Sequence, residues 1–124
     1  EFYQRVIDKS GTYMMFDVNN VYVSAVNHQF DPMAYLKHID YSRVLQCHVA
    51  GHTELPNGTL LDTHNHPVKD IVWEMYRYVY QQTGGVSTIL EWDADFLTFD
   101  QTMAQANIAR EYQDAGQDVH VCKR

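Results

Sequence analysis

Apolar and polar positions alternate between two rhythms along the chain. The opening stretch, "EFYQRVIDKSG", reads as the end of a helix closed by Gly11. "TYMMFDVN" then reads as a short apolar strand with a polar end. Asp17 and Asn19 share one face of it, as residues two apart do in an extended chain, with Asn20 just beyond. No element is assigned from Asn20 to Phe30. Asp31 followed by Pro32 marks a helix start in "DPMAYLKHI", and "RVLQCHVA" is a second strand that ends at Gly51. The loop that follows carries Asn57-Gly58, a hairpin signal, and a loop this elaborate is usually functional. From there Val68, Ile71, Val72, Met75, Tyr78 and Val79 form a helical stripe that Gly84-Gly85 ends. "STILEWD" is a third strand, and "TFDQTMAQANIAREYQDAG" a last helix with Gly116 beyond its end.

Strands that alternate with helices imply parallel βαβ units, because parallel neighbours need a long crossover. The expected fold class is therefore α/β: a helix, then three strand–helix units. Each strand ends in polar, reactive residues: Asp17 and Asn19, His48, and Glu91 with Asp93. That pattern matches the C-terminal rim of a (β/α)8 barrel, where active sites sit. Three strands cannot close a barrel, so the sheet is open or the chain is a piece of a larger domain whose other strands lie upstream.

Composition narrows the partners. At 124 residues, with 45% hydrophobic and 20% charged residues, the chain fits one domain or part of one. A net charge of −7 leaves no basic patch for phosphates, which argues against nucleic acid. No apolar run approaches the roughly 20 residues that span a bilayer, and the N-terminal residues lack a signal-peptide plan, so a soluble protein is expected. Cys47 and Cys122 form neither a disulfide framework nor a CxxC pair, which suits the reducing cytoplasm. Cys47 should face the covering helices as a core residue, and Cys122 has no obvious partner. The nine tyrosines lie mostly at helix positions suited to packing.

The candidate chemistry lies in four clusters, each with an ordinary reading beside a functional one. In "FDVNN", Asp17 and Asn19 suit a turn or cap as well as a ligand pair. In "CHVAGH", His48 and His52 suit hydrogen-bonded core positions; His-x-x-x-His signals zinc only on a helix, and Gly51 argues against one. In "LLDTHNHP", alternation on an extended segment lets Asp62 and His64 chelate one ion, with His66 next in line, though a polar turn has the same composition. In "LEWDAD", Glu91 ends an apolar strand at what is otherwise a solvated acidic loop. Together the clusters weigh differently, since on a barrel rim they converge on one cavity. Carboxylates with imidazoles and no converging thiolate indicate Fe(II), Mn(II) or Zn(II), and more than four candidate ligands leave room for more than one ion.

"FDVNNVYVSAVNHQFDP", "QCHVAGH", "LLDTHNHPV" and "ILEWDAD", in this order and spacing, closely resemble the C-terminal half of the DUF692 or UPF0276 family, the multinuclear non-haem iron-dependent oxidative enzymes. The resemblance runs from the first helix to about Gly116. It implies a partial (β/α)8 TIM barrel, three to four C-terminal β/α units of a larger barrel. Residues 1–124 would then be the C-terminal part of a single TIM-barrel domain whose upstream half, with further histidines and a bridging carboxylate, lies outside this sequence. The upstream half, or another chain, would complete the barrel.

The resemblance further implies that Asp17, Asn19, His48, Asp62, His64 and Glu91 are iron ligands, in a centre of two or three irons in the complete protein. Asn20, His52 and His66 would surround them, and His28 would take a loop or substrate-facing place. The implied activity is iron- and dioxygen-dependent oxidative modification of cysteine residues in a ribosomally made precursor peptide. A small partner protein would present that peptide. Two other readings use the same residues: a Zn or Mn hydrolase or sugar isomerase of the xylose-isomerase-like barrel type, and a non-catalytic metal-binding fragment.

Overall fold

A computed structural model describes residues 2–117, so Cys122 lies outside the described residues. Helix α1 (Phe2–Ser10) stops at Gly11, whose φ of 68° is the left-handed conformation of a helix end. Strand β1 (Met14–Asp17) runs directly into α2 (Val18–His28). Helix α3 (Pro32–Leu36) and a single 3-10 turn at Tyr41–Arg43 lead to β2 (Val44–Val49). Then come β3 (Thr53–Glu54), β4 (Leu60–Leu61), α4 (Asp70–Thr83), β5 (Ser87–Leu90) and α5 (Phe99–Gln117). None of the described helices is long and apolar enough to cross a membrane.

The expected α/β sheet is present. β1, β2 and β5 pair in parallel with β2 in the centre, while β3 and β4 form a separate antiparallel hairpin closed through Asn57-Gly58. Met14, Phe16, Cys47 and Val49 point to the covered face and pack with Val72, Met75, Tyr76 and Val79 of α4. The opposite face carries Met15, Gln46, His48 and Ile89, and of these Met15 and Ile89 are exposed. A register shift between Met14 and Met15 leaves Leu45 as the extra residue, also exposed.

Three boundaries depart from the sequence reading. Residues 18–28 form a helix, so Asn19 and Asn20 lie in its first turn and do not continue the strand face of Asp17. The run "VNNVYVSAV" is rich in β-branched residues, which mask a helix locally; burial of Val18, Val21, Val23 and Ala25 decides the matter. The α4 stripe is rotated from its expected setting: Val72, Trp73, Met75, Tyr76 and Val79 are buried, whereas Ile71 is 42% exposed and Val68 precedes the helix. Lys69 at its N-cap makes no side-chain cap bond. A cap is worth about 1 kcal/mol against roughly 2 kcal/mol for each buried apolar side chain, so packing sets this helix. Helix α5 continues through Gly116 to Gln117, since a glycine stops a helix only where a left-handed cap forms.

The long loop after β2 is tied down at both ends. Asn27 on α2 donates to the Leu60 carbonyl and accepts from its amide, both at 2.9 Å, which holds the hairpin against the helix. At Gly51 a side chain has no room: a Cβ would stand 1.9 Å from the carbonyl oxygen of His66. Gly51→Ala is therefore expected to destabilise the fold by about 3 kcal/mol through forced backbone displacement, read as a lower urea midpoint.

Candidate metal centre

Parallel pairing brings the polar strand ends to one edge. Asp17 is the register partner of His48, and His48 that of Ile89, so Asp17 and His48 lie side by side on the open face. The Glu91 amide donates to the Val49 carbonyl at 2.9 Å, which carries the ladder one residue past β5 and returns Glu91 to the same face. Its carboxylate then spans two histidines: Oε1 lies 2.7 Å from His48 Nδ1 and Oε2 3.1 Å from His64 Nδ1. His48 Nε2 lies 3.1 Å from the side-chain oxygen of Gln46, two residues earlier on the same face.

The segment "LLDTHNHP" reaches this edge by a different route from the extended one expected. His64 has φ 49°, in the left-handed region, so Asp62, His64 and His66 do not project from a regular strand. The bend is fixed by the backbone: the His64 amide donates to Gly51 O at 3.1 Å, and the Asp93 amide donates to His64 O at 2.7 Å. Asp62 and His64 still meet, at 2.9 Å between Oδ1 and Nε2. His66 turns away; it is exposed and its Nδ1 lies 2.7 Å from Asn65 Oδ1.

Donor atoms of Asp17, His64 and Glu91 lie within 4.8 Å of one another. Asp17 serves twice. Its Oδ1 caps α2 by accepting from the Asn20 amide at 2.8 Å, so the ordinary reading of this residue as a cap holds, and the same carboxylate also lies in the donor cluster. Asn20 contributes its backbone to that cap. Asn19, fully buried, donates from Nδ2 to Asp62 Oδ1 at 2.5 Å and accepts at Oδ1 from His52 Nδ1 at 2.8 Å. His28 is exposed at the last position of α2, roughly 15 Å along the helix from Val18, and is not among the residues brought together. Asp93 is the partner that sequence reading left out of the site: its Oδ2 lies 3.1 Å from His64 Nδ1, although it is 67% exposed. Its place just past Glu91 was the available signal, but only the left-handed bend at His64 brings the two together.

Burial and neighbouring charge act together on the pKa values of His64, Asp17 and His52. Burial by itself lowers the pKa of His64, but Asp62, Asp17 and Glu91 outweigh that effect and hold it above the usual imidazole value. Both of its ring nitrogens face carboxylates, the arrangement that suits an imidazolium. Burial raises the pKa of Asp17, opposed by its bonds from Asn20. His52 is lowered, by burial first and then by Lys69. Cys47, buried beneath Asp17, has its thiol pushed far up by burial, so it behaves as a core residue.

Two carboxylates and an imidazole within reach of one point fit a divalent first-row cation, with Asp62 and His48 adjacent to extend the set. Such a cation would be stabilised by the same carboxylates that raise the pKa of His64. Ligation needs neutral imidazole and ionised carboxylates, so protons compete with metal. With the pKa of His64 raised, affinity for Mn(II) is expected to fall by about tenfold per pH unit as the solution is acidified below that pKa, one proton being displaced per metal. Isothermal titration across the range from mildly acidic to mildly alkaline buffer measures this.

A parallel α/β sheet with a metal-competent donor cluster at its strand ends is the class that fold and site define. Within that class the chain belongs to the DUF692/UPF0276 family: the family model described as "RiPP precursor modification enzyme MbnB/TglH/ChrH" matches residues 1–114. It is 39% identical over 112 residues to a UPF0276 protein of Acaryochloris marina, covering 90% of this chain and 40% of that protein. It is 40% identical over 116 residues to a UPF0276 protein of Caulobacter vibrioides, covering 94% and 41% respectively. A UPF0276 protein of Anaeromyxobacter sp. is 40% identical over 115 residues, covering 93% and 40%. The chain thus spans about two fifths of the length of the curated relatives it matches.

Proposed function

We propose that residues 1–124 are the C-terminal part of a single TIM-barrel domain that oxidatively modifies cysteine residues in a ribosomally made precursor peptide, with iron and dioxygen. The observation that carries this reading is the convergence of Asp17, His64 and Glu91 within 4.8 Å at the C-terminal edge of a parallel sheet, in a family of precursor-peptide modification enzymes. Asp17, His48, Asp62, His64 and Glu91 would hold two or three irons, with ligands from the rest of the barrel. The bound iron would supply a coordination position for a substrate thiolate and the redox capacity to use dioxygen.

The chain's own residues then have separate tasks. Glu91, just past β5, ties His48 on β2 to His64 in the loop before α4, so that the two imidazoles are held at a fixed spacing. Asp93 steadies the ring of His64 from the solvent side. Burial of His48 and of the base of the site keeps bulk water from the inner donors. The uncovered sheet face beside the cluster would be closed by the remaining strands, and a small partner protein would bring the peptide to the rim. The buried, reduced Cys47 suits a cytoplasmic setting.

Metal analysis of the full-length protein is expected to find iron, and incubation with a cysteine-containing precursor peptide and the presenting protein to give a mass change that requires dioxygen. A redox-inert metal with equal anaerobic turnover would instead select the zinc or manganese hydrolase or isomerase reading. Glu91→Gln is expected to lower both metal content and turnover by at least about tenfold, because a single change loosens two histidines. Asp93→Asn, which keeps a hydrogen-bond acceptor but removes a charge, should weaken metal binding less than Glu91→Gln does in the same titration.

A further inference from the structure

A buried polar chain leads away from the metal-binding cluster. Asp62, whose side chain is 27% exposed, receives His64 Nε2 on the same oxygen that accepts from Asn19 Nδ2. Behind it Asn19 is fully buried and His52 is 3% exposed. An amide has one donating and one accepting end, so commitment of Nδ2 to the Asp62 carboxylate leaves Oδ1 facing His52, and His52 must carry a proton on Nδ1 to donate to it. The reversed amide would set its oxygen against the Asp62 carboxylate and its NH2 against that N–H. The His52 ring is in turn held by Tyr22, with centroids 5.4 Å apart and planes at 40°.

We propose that His52 is a positioning residue of the metal centre: through Asn19 it fixes the orientation of the Asp62 carboxylate, without touching metal itself. This rests on the metal-centre reading above. It assigns the pair His52 and Asn19 a shared task that spacing in the sequence does not disclose, since the two are joined only through the first turn of α2. It also separates His52 from His66, which the same stretch of sequence offers equally and which faces outward. A His52 that merely filled the core would affect folding and leave metal affinity unmoved.

Mn(II) titration of the full-length protein tests this in His52→Leu, which keeps volume but loses the donor, and in His52→Asn, whose Nδ2 takes the place of Nδ1. His52→Leu is expected to weaken Mn(II) binding by about 10- to 100-fold with the number of bound ions unchanged at saturation. His52→Asn should restore affinity to within a few-fold, and His52→Leu should add nothing in the Asn19→Ala background, where the link to Asp62 is already gone. In the unaltered protein, nitrogen NMR of the His52 ring should show the proton on Nδ1, a readout that needs neither variant nor metal. Undiminished affinity in His52→Leu, or a proton on Nε2, would overturn the inference. Loss of one bound ion in His52→Leu without rescue by asparagine would also overturn it, because His52 would then be a ligand. Failure of the unaltered protein to bind Mn(II) or iron would sink the metal-centre reading itself, and this inference with it.

Discussion

Parallel pairing of β1, β2 and β5 is the constraint on which the rest depends. Parallel strands all end at the same edge, so residues far apart in sequence are delivered to one place. The register fixes the delivery: Asp17 beside His48, and Glu91 one step beyond the last pair of the ladder. A slip of one residue in β2 would turn His48 toward the helices and Cys47 toward the site. The apolar face of α4, packed on Cys47 and Val49, opposes that slip, so the hydrophobic core sets the chemistry of the opposite face.

The loop between β2 and α4 completes the edge by backbone geometry. Gly51 lets the chain pass against His66 with no room for a side chain, and the bend at His64 swings its imidazole between Asp62, Glu91 and Asp93. Gathering these carboxylates is unfavourable by mutual repulsion and, for Asp17, by burial. A cation at the centre would offset both effects, and the same carboxylates raise the pKa of His64. Affinity for a divalent ion and affinity for the His64 proton are two expressions of the same field.

Much of this was legible from residue types. Period and punctuation placed the three parallel strands, the hairpin at Asn57-Gly58 and the cap at Asp31, whose side chain accepts from the Met33 amide. The convergence of Asp17, His48 and Glu91 followed from their positions at or just past the ends of parallel strands, a place with only one destination, whereas Asp62 and His64 reach it by the bend in the loop. Helix α2 was missed, since its β-branched residues speak for a strand while its burial speaks for a helix, and burial is not local. The same gap hid the true place of Asn19, which reaches Asp62 from a helical turn.

What the sequence determined by itself is therefore the alternation of elements and the inventory of donors, both of which are properties of short windows. The tertiary structure decided how the donors are aimed. His64 leaves the extended path because Gly51 and Asp93 bond its backbone; Asp93 joins the site by the same bend, and His66 is turned out to solvent. Asn19 and His52, 33 residues apart, meet only when α2 packs beside the end of β2. Aim depends on contacts between segments distant in the chain, and no local pattern carries that information.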